Sequence, residues 1–239
     1  MTKYALVTGA SRGIGRETAA VLAAEGYHLY LTCIRSKETL LTYAKQLSTQ
    51  YHIDCVPFTG DMGNPEDVEA LFRKITDLDV LINNAGISYI GLLHEMSLAD
   101  WRKVISINMD SVFYTSRLAI PLMLRKHSGK IINISSVWGT AGASMEVAYS
   151  ASKGAVNSFT KALAKELAPS HIQVNAIACG LIDTDMNRCF SAEELDALRQ
   201  EIPCDRIGSP AEVAQMVRTL LSAPEYLTGQ IITLDGGWV

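Results

Sequence analysis

Apolar and polar positions along the chain follow two alternating rhythms. Short runs rich in β-branched and aromatic residues recur as "YALVTG" (4–9), "HLYLTC" (28–33), "IDCVPF" (53–58), "LDVLIN" (78–83), "GKIINIS" (129–135), "IQVNAIA" (172–178) and "IITLD" (231–235). Such runs predict buried strands. Between them lie longer stretches whose apolar residues recur at helical spacing: "GRETAAVLAAEG", "SKETLLTYAKQLSTQ", "PEDVEALFRKI", "SLADWRKVISINMDSVFYTSRLAIPLMLRK" and "PAEVAQMVRTLLSA". Ser or Pro stands at several of their starts, as helix N-termini favour. Regular βα alternation predicts an α/β fold: a doubly wound parallel seven-stranded sheet with helices on both faces and right-handed crossovers. At 239 residues the chain has material for one large core, and residues 1–239 are expected to form a single domain. The region from about 184 to 208 breaks the rhythm just past the sixth predicted strand. Open α/β sheets bind ligands at that edge, which makes the segment a candidate substrate lid.

Charge narrows the partners. With 21 Lys and Arg against 25 Asp and Glu the net charge is −4, which provides no electrostatic footprint for nucleic acid. The start "MTKYALVTGA" runs straight into a strand pattern, and no apolar run reaches membrane-spanning length, so a cytoplasmic protein without a membrane partner is expected. The five cysteines, Cys33, Cys55, Cys179, Cys189 and Cys204, are odd in number and lack CxxC spacing. They read as reduced thiols, with neither a disulfide framework nor a metal site.

Directly after the first strand comes "TGASRGIG", Thr8 to Gly15, followed by a helical pattern. Gly9, Gly13 and Gly15 permit a tight turn whose helix N-terminal amides can hold a pyrophosphate. The end of the second strand is where an acid would bind the adenosine ribose of NAD, and none is there. The chain instead has Arg35 in "TCIRSKE", and Arg12 inside the glycine turn. Each arginine reads alone as a solvated charge, Arg35 beside Glu38; together they point to the 2′-phosphate of NADPH.

Tyr149 in "YSASKGAVNSF" is the only tyrosine four residues before a lysine, Lys153. On a helix that spacing puts both on one face. Upstream, the strand "KIINIS" brings the hydroxyls of Ser135 and Ser136 to the carboxyl edge of the sheet. Asn108 interrupts the apolar pattern of the long central helix, as a partnered core residue or a helix irregularity does.

In this order the chain has "TGASRGIG", "DM" (61–62), "NNAG" (83–86), Asn108, Ser136, "YSASK" and "NAIACGLIDTDM" (175–186), and nearly end to end it resembles the short-chain dehydrogenase/reductases. The resemblance implies a Rossmann-type fold and a catalytic tetrad of Asn108, Ser136, Tyr149 and Lys153. Tyr149 would protonate the nascent alkoxide, and Lys153 would lower the tyrosine pKa and hold the nicotinamide ribose. Ser136 would hydrogen-bond the substrate carbonyl, and Asn108 would support a water linking Lys153 to solvent. For NADP(H) the resemblance implies contacts in the glycine turn at Gly9, Ser11, Arg12, Gly13, Ile14 and Gly15. Arg35 would add the 2′-phosphate, Asp61 and Met62 would border the adenine, and Asn84, Ala85 and Gly86 would line the cleft. Gly180, Ile182 and Thr184 would meet the carboxamide and phosphate end. Where the family usually has Pro-Gly, this chain has Cys179-Gly180, so a less rigid turn is expected there.

Within the family the chain looks most like the 3-oxoacyl-carrier-protein reductases of fatty acid synthesis. A ketone substrate carried on a protein or thioester, and a homotetramer, follow from that likeness. Two features resist it. His127 and Ser170 stand where the carrier-binding arginines are expected. The stretch "SSVWGTAGASMEVAYS" also puts Trp138 and Glu146 near Tyr149, Glu146 reading either as a solvated loop acid or as a pocket carboxylate suited to a cationic substrate. That pattern resembles the elongation factor P 5-aminopentanone reductases, the alternative assignment. A non-catalytic NADPH-binding sensor on the same fold is a further alternative, against which the complete tetrad speaks.

Overall fold

A computed structural model describes residues 2–188 and 190–239. Cys189, one of the thiols expected to be reduced, lies outside them; among the described residues Cys33, Cys55, Cys179 and Cys204 are free, and no cluster of metal-ligating side chains forms. The strands are β1 (Lys3–Val7), β2 (Tyr27–Cys33), β3 (Cys55–Thr59), β4 (Val80–Asn83), β5 (Gly129–Ser136), β6 (Ile172–Cys179) and β7 (Ile231–Leu234). They pair in the order β3-β2-β1-β4-β5-β6-β7, all in parallel, as the βα rhythm predicts. The connecting helices are α1 (Gly13–Ala24), α2 (Lys37–Tyr51), α3 (Pro65–Phe72), α4 (Leu98–Ile105), α5 (Ser111–Lys126), α6 (Val147–Leu167), α7 (Ala192–Glu201) and α8 (Pro210–Ser222).

Alternation along the strands separates two hydrophobic layers. Ala5, Val7, Leu29, Leu31, Val80 and Ile82 face Leu22 of α1, Leu40 and Leu47 of α2, and Val213 and Val217 of α8. The residues between them, Leu6, Tyr30 and Leu81, face Val68 and Leu71 of α3, Met123 of α5 and Leu163 and Leu167 of α6. A sheet covered on both faces needs strands apolar at every position, and that is why these runs read as continuous rather than alternating. Among the described residues no helix is long and apolar enough to cross a membrane.

The strand order reverses between β1 and β4, so the loops after those strands diverge and leave a crevice at their carboxyl ends. The segment expected as one long helix from 97 to 126 is α4 and α5 joined by a π-helical turn, Ser106–Asp110, with Asn108 at its centre. A π turn is costly in a helix and marks sites where a side chain must be re-aimed. The rhythm-breaking region holds a short 3-10 turn, Asp185–Asn187, and α7, whose N-terminus carries a capping box of Ser191 and Glu194.

Candidate active site

The glycine turn is built for close approach. Gly9 and Gly13 have φ of +67° and +53°, which L side chains resist. A Cβ on Gly15 would overlap the Gly9 carbonyl and stand 2.5 Å from Asn84 Nδ2. Thr8 Oγ1 accepts from the amides of Asn84 and Ala85 at 2.9 and 3.0 Å, and Asn84 Nδ2 donates back to the Thr8 and Gly9 carbonyls at 2.8 and 3.1 Å. The turn after β1 is thereby stitched to the turn after β4. On its other side, a Cβ at Gly13 would meet Thr184 Cγ2 at 3.4 Å, so three of the predicted cofactor segments converge. Helix α1 begins there without a side-chain cap and without an acid in its first turn. Its leading amides are accordingly open to an anion. This cradle fits a dinucleotide pyrophosphate, held by the backbone from Gly9 to Gly15.

Several predicted contacts differ in kind from their expectation. Met62 is 2% exposed in the core beneath α3, so only its backbone faces the crevice. Ile182 is likewise buried, and its side chain belongs to the core. The Asp61 carboxylate accepts from the Gly63 amide at 2.8 Å, shaping the loop after β3. Arg12 forms an ion pair with Asp185 at 3.3 Å, whereas Arg35 is exposed and has no ion pair among the described residues, with Glu38 or otherwise. At Cys179-Gly180, where a less rigid turn is expected, the backbone remains hydrogen-bonded to its neighbours. Cys179 pairs with both Ser136 and Leu234, and the Gly180 amide donates to the Leu234 carbonyl at 3.0 Å. Pairing on two sides holds the position without proline.

The four tetrad residues meet at the carboxyl ends of β4 and β5. Ser135 and Ser136 divide their roles: Ser135 Oγ turns to the α6 side and donates to Asn157 Oδ1 at 2.6 Å, while Ser136 hydrogen-bonds the Tyr149 hydroxyl. Asn108, 1% exposed, donates to the Ile87 carbonyl at 2.9 Å and to Ser152 Oγ at 3.0 Å, and accepts from the Ile87 amide at 2.8 Å. The π turn thus aims one amide at two elements, fixing the loop after β4 against α6. A Cβ on Gly86 would lie 3.4 Å from Asn108 Oδ1 and 3.6 Å from Lys153 Nζ, which places the amide and the ammonium beside one another.

Lys153 is 5% exposed, and its Nζ donates to the Ile134 carbonyl at 2.8 Å, 5.7 Å from the centre of the Tyr149 ring. Burial pulls its pKa down to about 8. Burial acts on Tyr149 in the direction opposite to the lowering expected of Lys153. Protein surrounds the Tyr149 hydroxyl, and that burial pushes the phenol well above its ordinary value; the Ser136 hydrogen bond opposes the rise, and Cys179 and Glu146 add to it. In this arrangement the ammonium donates to a backbone carbonyl, and desolvation is the dominant influence on the phenol.

Glu146 stands immediately before α6. It is half-buried, it has no ion pair among the described residues, and burial raises its carboxyl above the ordinary range. Its charge adds to the rise at Tyr149. The Trp138 backbone amide donates to Ser136 Oγ at 3.2 Å, which fixes the turn after β5 against the serine.

Two groups of residues escape sequence reasoning. Asn83 of "NNAG" is part of a buried ladder: it donates to Asn133 at 2.9 Å and accepts from Thr115 at 2.7 Å, and Asn133 donates to Thr160 at 2.8 Å. The asparagine doublet is the one signal of it. Trp238 packs its ring on Trp138, a contact across a hundred residues that no local pattern announces.

A family model described as short chain dehydrogenase matches residues 3–195. An uncharacterized oxidoreductase of Bacillus subtilis, YmfI, is 39% identical, covering 100% of this chain and 99% of its own. A 3-oxoacyl-[acyl-carrier-protein] reductase of Synechocystis is 41% identical, covering 99% and 97%. Among solved structures, YwfH, described as an NADPH-dependent reductase involved in bacilysin biosynthesis, superposes with a TM-score of 0.94 at 26% identity, covering 100% of this chain and 99% of that one. Acetoin dehydrogenase YohF from Salmonella typhimurium superposes with a TM-score of 0.90 at 33% identity, covering 100% and 96%.

Proposed function

This chain belongs to the short-chain dehydrogenase family, oxidoreductases acting on carbonyl and alcohol groups, and from that premise we propose that it reduces a ketone to a secondary alcohol with NADPH. The observation that carries the proposal is the convergence of Ser136, Tyr149, Lys153 and Asn108 beside a glycine cradle fitted to a dinucleotide. NADPH, when bound, supplies the hydride to the carbonyl carbon. Ser136 donates a hydrogen bond to the carbonyl oxygen as negative charge gathers there. Tyr149, kept protonated by burial, gives its proton to that oxygen. The phenolate left behind is stabilised by the Lys153 ammonium, and Asn108 keeps the loop after β4 in register with α6 so that the two stay aligned.

NADPH rather than NADH is supported by Arg35, which is exposed just past the end of β2 and has no ion pair among the described residues, and by the absence of an acid there. Arg12 would have to leave Asp185 to join it. With both cofactors compared by kcat/KM, NADPH should be favoured by at least about tenfold, and Arg35→Asp should reverse the order. Equal values in the unaltered protein would refute the assignment.

A 3-oxoacyl thioester on a carrier protein is the substrate suggested by likeness to the 3-oxoacyl-carrier-protein reductases. Glu146 favours a second reading, an amine-bearing ketone of the kind reduced by the elongation factor P 5-aminopentanone reductases. A half-buried carboxylate beside Tyr149 attracts an ammonium more strongly than an exposed one does. The carrier-binding surface is weak in cations: His127 serves as the left-handed cap of α5, Lys126 is held by Asp77 and Asp79, and His171 is held by Glu225. Glu146→Gln should therefore lower kcat/KM for an amino-ketone about tenfold more than for a neutral ketone, by an amount that shrinks with added salt. The same discrimination should fade as pH falls through the carboxyl pKa, which lies above 4.5. A carrier-protein thioester reduced far better than any amino-ketone would leave the first reading in place.

A further inference from the structure

Trp138 and Trp238 leave neighbouring strand ends. At the carboxyl edge of the sheet Ser136 of β5 pairs with Cys179 of β6, and Cys179 with Leu234 of β7, so three strands end abreast. Trp138 follows β5 and Trp238 follows β7. Those strands are two spacings apart, about 9.6 Å. The indole centroids nevertheless lie 4.9 Å apart, edge to face at 62°, so the pair must span the end of β6. That edge is where a parallel sheet receives its ligand.

Neither ring is a core residue, since both remain partly exposed. Each is anchored away from the other. The Trp138 amide donates to Ser136 Oγ at 3.2 Å. Trp238 Nε1 donates to Glu201 Oε2 at the end of α7 at 3.3 Å, and the Cys204 amide donates to the Gly236 carbonyl at 3.1 Å. The tail itself is rigid, because the Asp235 carboxylate accepts from the Gly237 and Val239 amides at 2.9 and 3.0 Å. The ring contact therefore joins the hydroxyl-bearing end of β5 to α7 through the chain's own C-terminal residues.

We propose that Trp238 is a specificity-determining residue, closing with Trp138 an aromatic wall over the end of β6 that admits compact ketones and rejects those with long chains. The inference rests on the ketone-reductase reading and deepens it. Edge-to-face indoles resist parting beyond their simple area burial, so a long chain has to displace a held contact rather than a loose side chain. A wall of this kind acts on which ketone enters and leaves proton transfer to Tyr149.

The test compares 3-oxobutyryl and 3-oxododecanoyl thioesters of N-acetylcysteamine, with NADPH, in the unaltered protein and in Trp238→Ala, Trp238→Phe and Glu201→Gln. The unaltered protein should favour the short thioester by about tenfold in kcat/KM, and Trp238→Ala should erase that preference, mainly through KM for the long one. Trp238→Phe keeps an aromatic edge and should keep most of the preference; Glu201→Gln keeps an acceptor and should behave as the unaltered protein. A Trp238→Ala protein that slows both thioesters by the same factor, or changes kcat alone, overturns the wall. So does an unaltered protein that reduces both equally. If the unaltered protein reduces neither these thioesters nor any neutral or amine-bearing ketone, the reductase reading itself falls and takes this inference with it; reduction of ketones with an unchanged length preference in Trp238→Ala refutes the inference alone.

Discussion

Replacing Tyr149 with Phe is expected to lower kcat for ketone reduction by about a thousandfold, within the range that a positioned general acid supplies. The phenol is hydrogen-bonded to the Ser136 hydroxyl, and burial keeps it in the protonated form throughout the neutral range. Removing the oxygen takes away the proton and leaves the ring that packs the start of α6. NADPH affinity should accordingly change by no more than about threefold, because the glycine cradle and the loop after β4 do not depend on that hydroxyl. Fluorescence titration of NADPH beside steady-state turnover separates the two effects. Near-normal turnover in Tyr149→Phe would remove Tyr149 from the proton-donor role and the tetrad with it.

Lys153→Met should lose turnover by at least about a hundredfold and gain stability in the same protein. The ammonium is 5% exposed, and its pKa is drawn from 10.5 to about 8 by burial. A shift of that size corresponds to about 3 kcal/mol of unfavourable burial, of which the hydrogen bond to the Ile134 carbonyl is already a mitigating part. The sign follows from proton counting. Between pH 8 and 10.5 the unfolded chain binds the proton that the folded chain has released, so stability rises with pH across that window; below it the full penalty of the buried charge stands. Lys153→Met should therefore be more stable than the unaltered protein at pH 7, by up to that amount, with the difference closing as pH approaches 10.5. Urea unfolding at several pH values measures it. The unaltered enzyme should in parallel lose kcat as pH rises through about 8, where the charge that stabilises the Tyr149 phenolate disappears. A variant less stable at pH 7 would mean that the ammonium is better solvated than its surroundings imply.

Both outcomes follow from one arrangement. The burial that draws down the Lys153 pKa also keeps Tyr149 protonated. An ammonium that stabilises the phenolate lowers the tyrosine pKa by the same amount, against the rise that burial imposes. Lys153 exerts its charge on the phenolate once the proton has gone.

Sequence alone determined a great deal of this protein. The seven strands, their parallel pairing and the helices on both faces were legible because a sheet buried on two sides requires continuous apolar runs, and amphipathic helices require a different period. The glycine turn was legible because backbone close to backbone excludes a Cβ, and the Tyr149–Lys153 pair because one helical turn separates them. Tertiary structure decided what depends on direction. Asn108 could be placed in the long helix from sequence, but the π turn that aims its amide at Ile87 and Ser152 could not, since α and π turns share one composition. Met62 and Ile182 sit at the expected positions with their side chains turned into the core, and Arg12 is already engaged by Asp185. Glu146 reads from the sequence either as a solvated loop acid or as a pocket carboxylate, and its half-burial is a property of the tertiary fold. Trp238 meets Trp138 only because β5, β6 and β7 end abreast, and a contact between residues so distant along the chain is written in the register of the sheet rather than in any local run of sequence.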